Sequence, residues 1–135
     1  MNKIDETIAM LLAIQNYAKD IHYNCKGDAF YSKHLLCDRI AENMSDYIDG
    51  IKETIILARL ETPKSSKEYM EEAINKVPDI TDKDTENFKR LRFLMLNTLA
   101  SIERIDRVSI GEENLLGNIA ENLQNSVGLL NRQVM

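Results

Sequence analysis

The chain holds only two histidines, His22 and His34, and carboxylates recur beside the second of them at helical spacing. His34 and Asp38 are four residues apart, and so are Asp49 and Glu53. At 100° per residue these four side chains fall at about 0°, 40°, 60° and 100° on one helix, a continuous polar stripe. Imidazole mixed with carboxylates is a ligand set that suits iron, manganese or zinc. His22 would join this set from an adjacent segment. Distance constrains the chemistry more than angle does. Asp38 and Asp49 lie roughly 16 Å apart along one helix at ~1.5 Å per residue. Metal–ligand bonds are about 2 Å long, so the two pairs cannot hold one ion within one chain. They can do so when a second copy of the helix packs antiparallel, with a two-fold axis near Asn43 and Met44. Asp49 and Glu53 of one subunit then meet His34 and Asp38 of the other, giving two equivalent sites per dimer.

A plainer reading competes with this one, because a charged stripe on a helix is usually a solvated face. A second constellation competes as well: His22-x-x-Cys25 and His34-x-x-Cys37 supply two His and two Cys, the donors of a small zinc site. Each of those pairs falls within or at the end of a long helix rather than on a zinc-knuckle turn. The simplest role for Cys37 is that of a small core residue, and for Cys25 that of a residue in the interhelix turn. A thiol beside a redox-active metal would be open to oxidation.

Four long helical stripes have to position these residues. Ile4, Ile8, Leu11, Ile14, Ala18 and Ile21 recur at steps of three or four and mark the first, with one face in a core. It is expected to stop between Asn24 and Gly27, where glycine can take a left-handed turn, and Asp28 is a candidate N-cap for the next helix. Leu36, Ile40, Met44, Tyr47, Ile51 and Ile55 carry the second stripe to about Leu60, before Pro63. Ser65-Ser66-Lys67-Glu68 is a capping-box pattern and predicts a short helix over about 66–76. Phe88, Leu91, Met95, Leu99, Ile102 and Ile105 mark a third long helix over about 82–106. Ser109-Ile110-Gly111-Glu112 is a second capping box, opening a helix with Leu116, Ile119, Leu123, Val127, Leu130 and Val134 inward. The expected architecture is all-α: a four-helix bundle with a short extra helix in the connection between its second and third helices.

Composition agrees. The 135 residues are 44% apolar and 6% aromatic, with five Gly and two Pro, which fits one helical domain over residues 1–135. There is no run of 18 apolar residues, so no transmembrane helix is expected, and the segment Met1-Asn2-Lys3-Ile4-Asp5 has no signal-peptide core. Two cysteines make no disulfide scaffold, and a cytoplasmic location is expected. The 22 acidic and 17 basic residues leave a net charge of −5, which argues against duplex DNA as a partner.

The order His22, His34, Asp38, Asp49, Glu53, at separations of 12, 4, 11 and 4, resembles the Dps family, the mini-ferritins of the ferritin superfamily named as DNA-binding proteins from starved cells. The stretch Lys19-Asp20-Ile21-His22-Tyr23-Asn24-Cys25-Lys26-Gly27-Asp28-Ala29-Phe30 is similar to that family's run of His, aromatic, Asn and Lys-Gly before an aromatic. Asp49-Gly50-Ile51-Lys52-Glu53-Thr54-Ile55 is similar to its Asp-x-Ile-Ala-Glu-Arg-Ile segment, and Gly111-Glu112-Glu113-Asn114-Leu115-Leu116 to the start of its last helix. The motif-specific likeness runs from Lys19 to Glu53, while the helix order matches along nearly the whole chain.

That resemblance implies a ferroxidase and iron-storage protein. His22, His34 and Asp38 of one subunit, with Asp49 and Glu53 of its two-fold mate, would bind Fe(II) and oxidise it with hydrogen peroxide or O2. Twelve subunits would enclose a hollow shell that keeps Fe(III) and protects against oxidative stress. Glu53 would be the residue that bridges two irons, and Asp38 or His34 would serve a weaker second position. Lys19 would lie near the site and hydrogen-bond its ligands, and Tyr23 stands where the family usually has Trp, a place for a redox-active neighbour. At the three-fold pore Asn114 replaces the family's usual Asp, which leaves Asp106, Glu112 and Glu113 as the acidic substitutes. The DNA-binding members mostly use basic tails, and the first helical stripe here starts within five residues of Met1, so no DNA binding is expected.

Overall fold

The structure, a computed structural model, describes residues 1–135. Five α-helices follow one another: α1 (Lys3–Asn24), α2 (Phe30–Ile51), α3 (Ser66–Ile74), α4 (Asp84–Glu103) and α5 (Ile110–Gln133). No strand is present. A π-helical segment, Lys52–Leu57, continues α2 without a break. The four long helices form a bundle in which α1 borders α2 and α4, and α5 borders α4 and α2. The short α3 packs on α1 within the long crossover from α2 to α4. No helix is long and apolar enough to cross a membrane.

The apolar stripes form the core. Ile4, Ile8, Leu11, Ile14, Ala18 and Ile21 of α1 are all buried, as are Ile40, Met44 and Ile51 of α2 and Ile55 of the π segment. Phe88, Leu91, Met95, Leu99 and Ile102 of α4 meet Leu116, Ile119, Leu123 and Leu130 of α5 in the same cluster. Burying a large aliphatic or aromatic side chain contributes about 1.5–3 kcal/mol, so these stripes decide which face of each helix is left for chemistry. Tyr69 ties α3 down: its hydroxyl donates to Asp5 Oδ1 at 2.7 Å, and Lys52 Nζ sits 5.2 Å from its ring centre.

The helix ends depart from the sequence expectation in instructive ways. Both capping boxes form, at Ser65–Glu68 and Ser109–Glu112. Asp28, however, does not cap α2. The N-cap is Ala29, in the left-handed region at φ 59° and without a side-chain cap bond. Gly27 also has positive φ, at 77°, and Phe30 N–H donates to its carbonyl, so this tight turn rather than a side chain starts the helix. Helix α4 begins at Asp84 instead of near Asp82, because the Asn87 side chain bonds both backbone groups of Thr81 and holds that residue in the loop. It ends at Glu103, ahead of Arg107, which turns left-handed at φ 55°. Helix α3 stops at Ile74, where Lys76 and Val77 N–H both turn back to the Ala73 carbonyl.

Candidate metal centre

The turn between α1 and α2 brings the two histidines together. Their rings stack with centroids 3.5 Å apart and planes 19° from parallel. His22 Nδ1 lies 2.8 Å from the backbone carbonyl of His34, and His34 Nδ1 lies 2.8 Å from the carbonyl of His22. A carbonyl oxygen only accepts, so each Nδ1–H donates and the neutral ring keeps its lone pair on Nε2. The reciprocal bonds fix the tautomer of both rings and leave both Nε2 atoms without a partner in the chain. A backbone carbonyl on the far nitrogen is the usual support behind a metal-binding imidazole. His22 is 9% exposed and His34 half-buried. Tyr23 meets the His22 ring edge-on at 4.9 Å while remaining 75% exposed, and Phe30 lies 5.2 Å from the His34 ring.

Asp38, one turn beyond His34, accepts a hydrogen bond on Oδ1 from Lys19 Nζ at 2.7 Å. Lys19 stands one turn before His22 on α1, so the ion pair crosses between the helices that carry the two rings. The Lys19 ammonium, aided by the nearby imidazoles, holds the Asp38 carboxyl below its usual range, and the same contact raises Lys19. The second oxygen of Asp38 makes no hydrogen bond.

Asp49 and Glu53 are exposed and make no ion pair or hydrogen bond within the chain. Asp49 lies in the last turn of α2, and Glu53 lies in the π segment, a distortion often found at functional sites. The structure therefore brings His22, His34, Asp38, Lys19 and Tyr23 together and leaves Asp49 and Glu53 further along the helix. No three His, Cys, Asp or Glu side chains of one chain converge to hold a metal ion. The two cysteines are buried and free. Burial pushes the Cys37 thiol up to about 12 and raises Cys25, the opposite of what a thiolate ligand needs.

The three acidic residues assigned to a pore have different fates. Glu112 is 7% exposed, and both its oxygens are taken by Arg59, Nε to Oε2 at 2.8 Å and Nη2 to Oε1 at 2.9 Å. Oε1 also accepts from Ser109 N–H at 2.9 Å. Arg59 and the Ser109 cap together depress the Glu112 carboxyl to about 2. Asp106 and Glu113 are exposed and unpaired. Sequence reading passed over Arg59, whose only signal was a lone basic residue just past the second apolar stripe. It also passed over Phe30 as a neighbour of His34.

These four long helices, joined by one long crossover with a short helix inside it, are the ferritin-like four-helix bundle. Among solved structures the chain is similar to a mutant of Mycobacterium smegmatis Dps1, with a TM-score of 0.79, 17% identity, and coverage of 98% of this chain and 93% of that one. The fold is thus the Dps-like form of the ferritin bundle, short helix included. No protein-family model matches the chain, and no curated protein matches it.

Proposed function

We propose that the protein is a ferroxidase and iron-storage protein, acting through residues 1–135 as one domain in an oligomer built from two-fold dimers. The observation that carries this reading is the pinned histidine pair: two buried or half-buried rings with both Nδ1 atoms bonded to backbone and both Nε2 atoms free. Such preset nitrogens suit Fe(II), and carboxylates hold the ion more tightly as Fe(III) forms. His22, His34 and Asp38 form one half of the site. Asp49 and Glu53 of a second copy, on an antiparallel α2, supply the other half, because one chain keeps the two sets roughly 16 Å apart. Fe(II) is the substrate. Two Fe(II) ions give one electron each to hydrogen peroxide, which takes up two protons and leaves as two waters.

Lys19 positions Asp38 through one oxygen and leaves the other free for the metal or its water. Tyr23, edge-on to His22 and exposed, is placed to give up an electron when an oxidising equivalent escapes the site. A closed shell of twelve copies would retain the ferric product, with Asp106 and Glu113 the unpaired acids at the end of α4 and the start of α5 for guiding iron inward. At a charge of −5 per chain the assembly has no use for duplex DNA, and a cytoplasmic setting fits its free thiols.

The test is peroxide-dependent Fe(II) oxidation on protein whose mass is fixed by light scattering. Fast oxidation by a particle near twelve chains, with iron kept soluble, is the expected result. The split site has its own check. His22→Ala subunits mixed with Glu53→Gln subunits should regain oxidation, because each hybrid dimer retains one whole site. Exchange of subunits without recovery would overturn the intersubunit geometry.

A further inference from the structure

The turn between the two histidines is held from a third helix. Between α1 and α2 the chain passes through two left-handed residues, Gly27 and Ala29, and α2 starts without a side-chain cap. A helix start of that kind frays readily unless something outside it takes hold. Asp84, the first residue of α4, does so. Its Oδ2 accepts from the Lys26 backbone N–H at 3.2 Å and from Lys33 Nζ at 3.0 Å. Lys33 Nζ also stands 3.5 Å from the Lys26 carbonyl, so one carboxylate and one ammonium close over both ends of the turn. The side chains of Lys33 and Asp84 are only 15% and 13% exposed. Helices α2 and α4 do not border each other, and this ion pair is the only polar bond between them.

The strap lies where the rings are set. Lys26 follows His22 by four residues, and Lys33 immediately precedes His34. Next to Lys26, Cys25 Sγ–H turns back to the His22 carbonyl at 3.8 Å, the oxygen that also receives His34 Nδ1–H. The crossed bonds of the two rings are 2.8 Å each, so a slip of α2 against α1 by about 0.5 Å takes them out of range. We propose that Asp84 and Lys33 are positioning residues for the two imidazoles: their ion pair keeps each histidine carbonyl on the other ring's Nδ1–H and so leaves both Nε2 lone pairs free for metal. This inference rests on the reading of His22 and His34 as ligands and adds two residues, one of them on a helix that carries none.

The test follows the rings directly. The full chain labelled with 15N-histidine gives two imidazoles in a long-range proton–nitrogen spectrum, recorded where both are neutral. The wild type should show a protonated Nδ1 and a bare Nε2 on each. Lys33→Met should move at least one ring toward the Nε2–H tautomer and weaken Co(II) binding by calorimetry about tenfold, the lower end for residues behind a metal ligand. Lys33→Arg should restore both. Asp84→Asn, which keeps an acceptor for the Lys26 N–H and loses the charge, should fall between, and it carries the test if Lys33→Met does not fold. Arg59→Met is the control: it breaks an ion pair elsewhere in the bundle and should move neither ring. Unchanged tautomers in Asp84→Asn and in folded Lys33→Met would overturn the inference, and so would an equal change in Arg59→Met. A wild type that binds no Co(II) and oxidises no Fe(II) would sink the ferroxidase reading, while the ring tautomers would still decide what the strap does.

Discussion

Two ion pairs, built from similar parts, sit at different places in the bundle. Glu112 receives two bonds from Arg59 and one from the Ser109 backbone, its own side chain 10% exposed and that of Arg59 30%. Asp38 receives one bond from Lys19 on one oxygen, with both side chains a third or more exposed. The planar guanidinium fork satisfies a carboxylate from two sides, while an ammonium meets it as a point charge. The first pair therefore fastens the end of the second helix to the start of α5. The second keeps a carboxylate in place and still leaves an oxygen to give. Saturated groups hold a fold together, and half-satisfied ones are available to a ligand.

The strongest way to break that contrast is to remove the proposed ligands that make no bond within the chain. Replacing Asp49 with Asn and Glu53 with Gln should lower the rate of peroxide-dependent Fe(II) oxidation by at least about 100-fold, since even outer-shell partners of metal ligands are worth 10–100-fold. Helix content by circular dichroism should not change, because neither side chain makes a bond within the chain. Retained oxidation in the double variant would remove both residues from the site.

Next in size is the saturated pair. Arg59→Met should cost about 1–3 kcal/mol in urea unfolding, the range for a lost hydrogen-bonded charge whose partner stays behind. It should also change the acid limb. The Glu112 carboxyl lies near 2 when folded against an ordinary 4.5, so the unfolded chain takes up the proton first as pH falls. Stability from this group is complete above about pH 4.5 and drains away as pH falls through the folded value near 2. The variant should lose the part of that slope that Arg59 supplies and keep the part due to the Ser109 cap, which a urea midpoint measured at several pH values reads directly.

These contrasts mark what the sequence could and could not say. Apolar period revealed α1, α2, α4 and α5, because burial of a stripe is set by residues three and four apart. The capping boxes at Ser65 and Ser109 were legible for the same local reason. Ala29 as N-cap was not, since the turn through Gly27 depends on backbone angles that Asp28 does not advertise. The order of His22, His34 and Asp38 was visible, but the crossed carbonyl bonds of the two rings and the Lys19 contact arise only when α1 docks on α2. The π segment under Glu53 left no trace in composition. Glu112 read as a capping-box residue and a pore acid, and its pairing with Arg59 was not legible because the two lie 53 residues apart.

The half-satisfied pair is sharpened by Lys19→Met, which removes the charge and keeps much of the stem. Freed of its only hydrogen-bond partner, Asp38 should titrate higher than in the wild type and gain freedom to turn. The expected effect is a change in Fe(II) oxidation of about tenfold, the lower end for a residue that orients a ligand. The urea midpoint should scarcely move, because exposed ion pairs contribute little. Lys19→Arg should restore part of the rate. A variant that lost stability instead would make the pair a second fastener, like Arg59 with Glu112.

The smallest effect is expected at the far end of α4 and the start of α5, where the same contrast separates neighbours. Glu113 is exposed and unpaired, so Glu113→Ala should slow iron uptake a few-fold at low salt through weaker attraction of Fe(II), with unfolding unchanged. Glu112→Gln should do the reverse: uptake stays near normal, while stability falls as Arg59 loses its charged partner. The low-salt condition matters, because attraction by exposed carboxylates fades within about 10 Å at 0.1 M. Uptake measured on both variants at two ionic strengths reads which acid guides the ion. Unchanged uptake for Glu113→Ala at low salt would leave iron entry to some other route through the assembly.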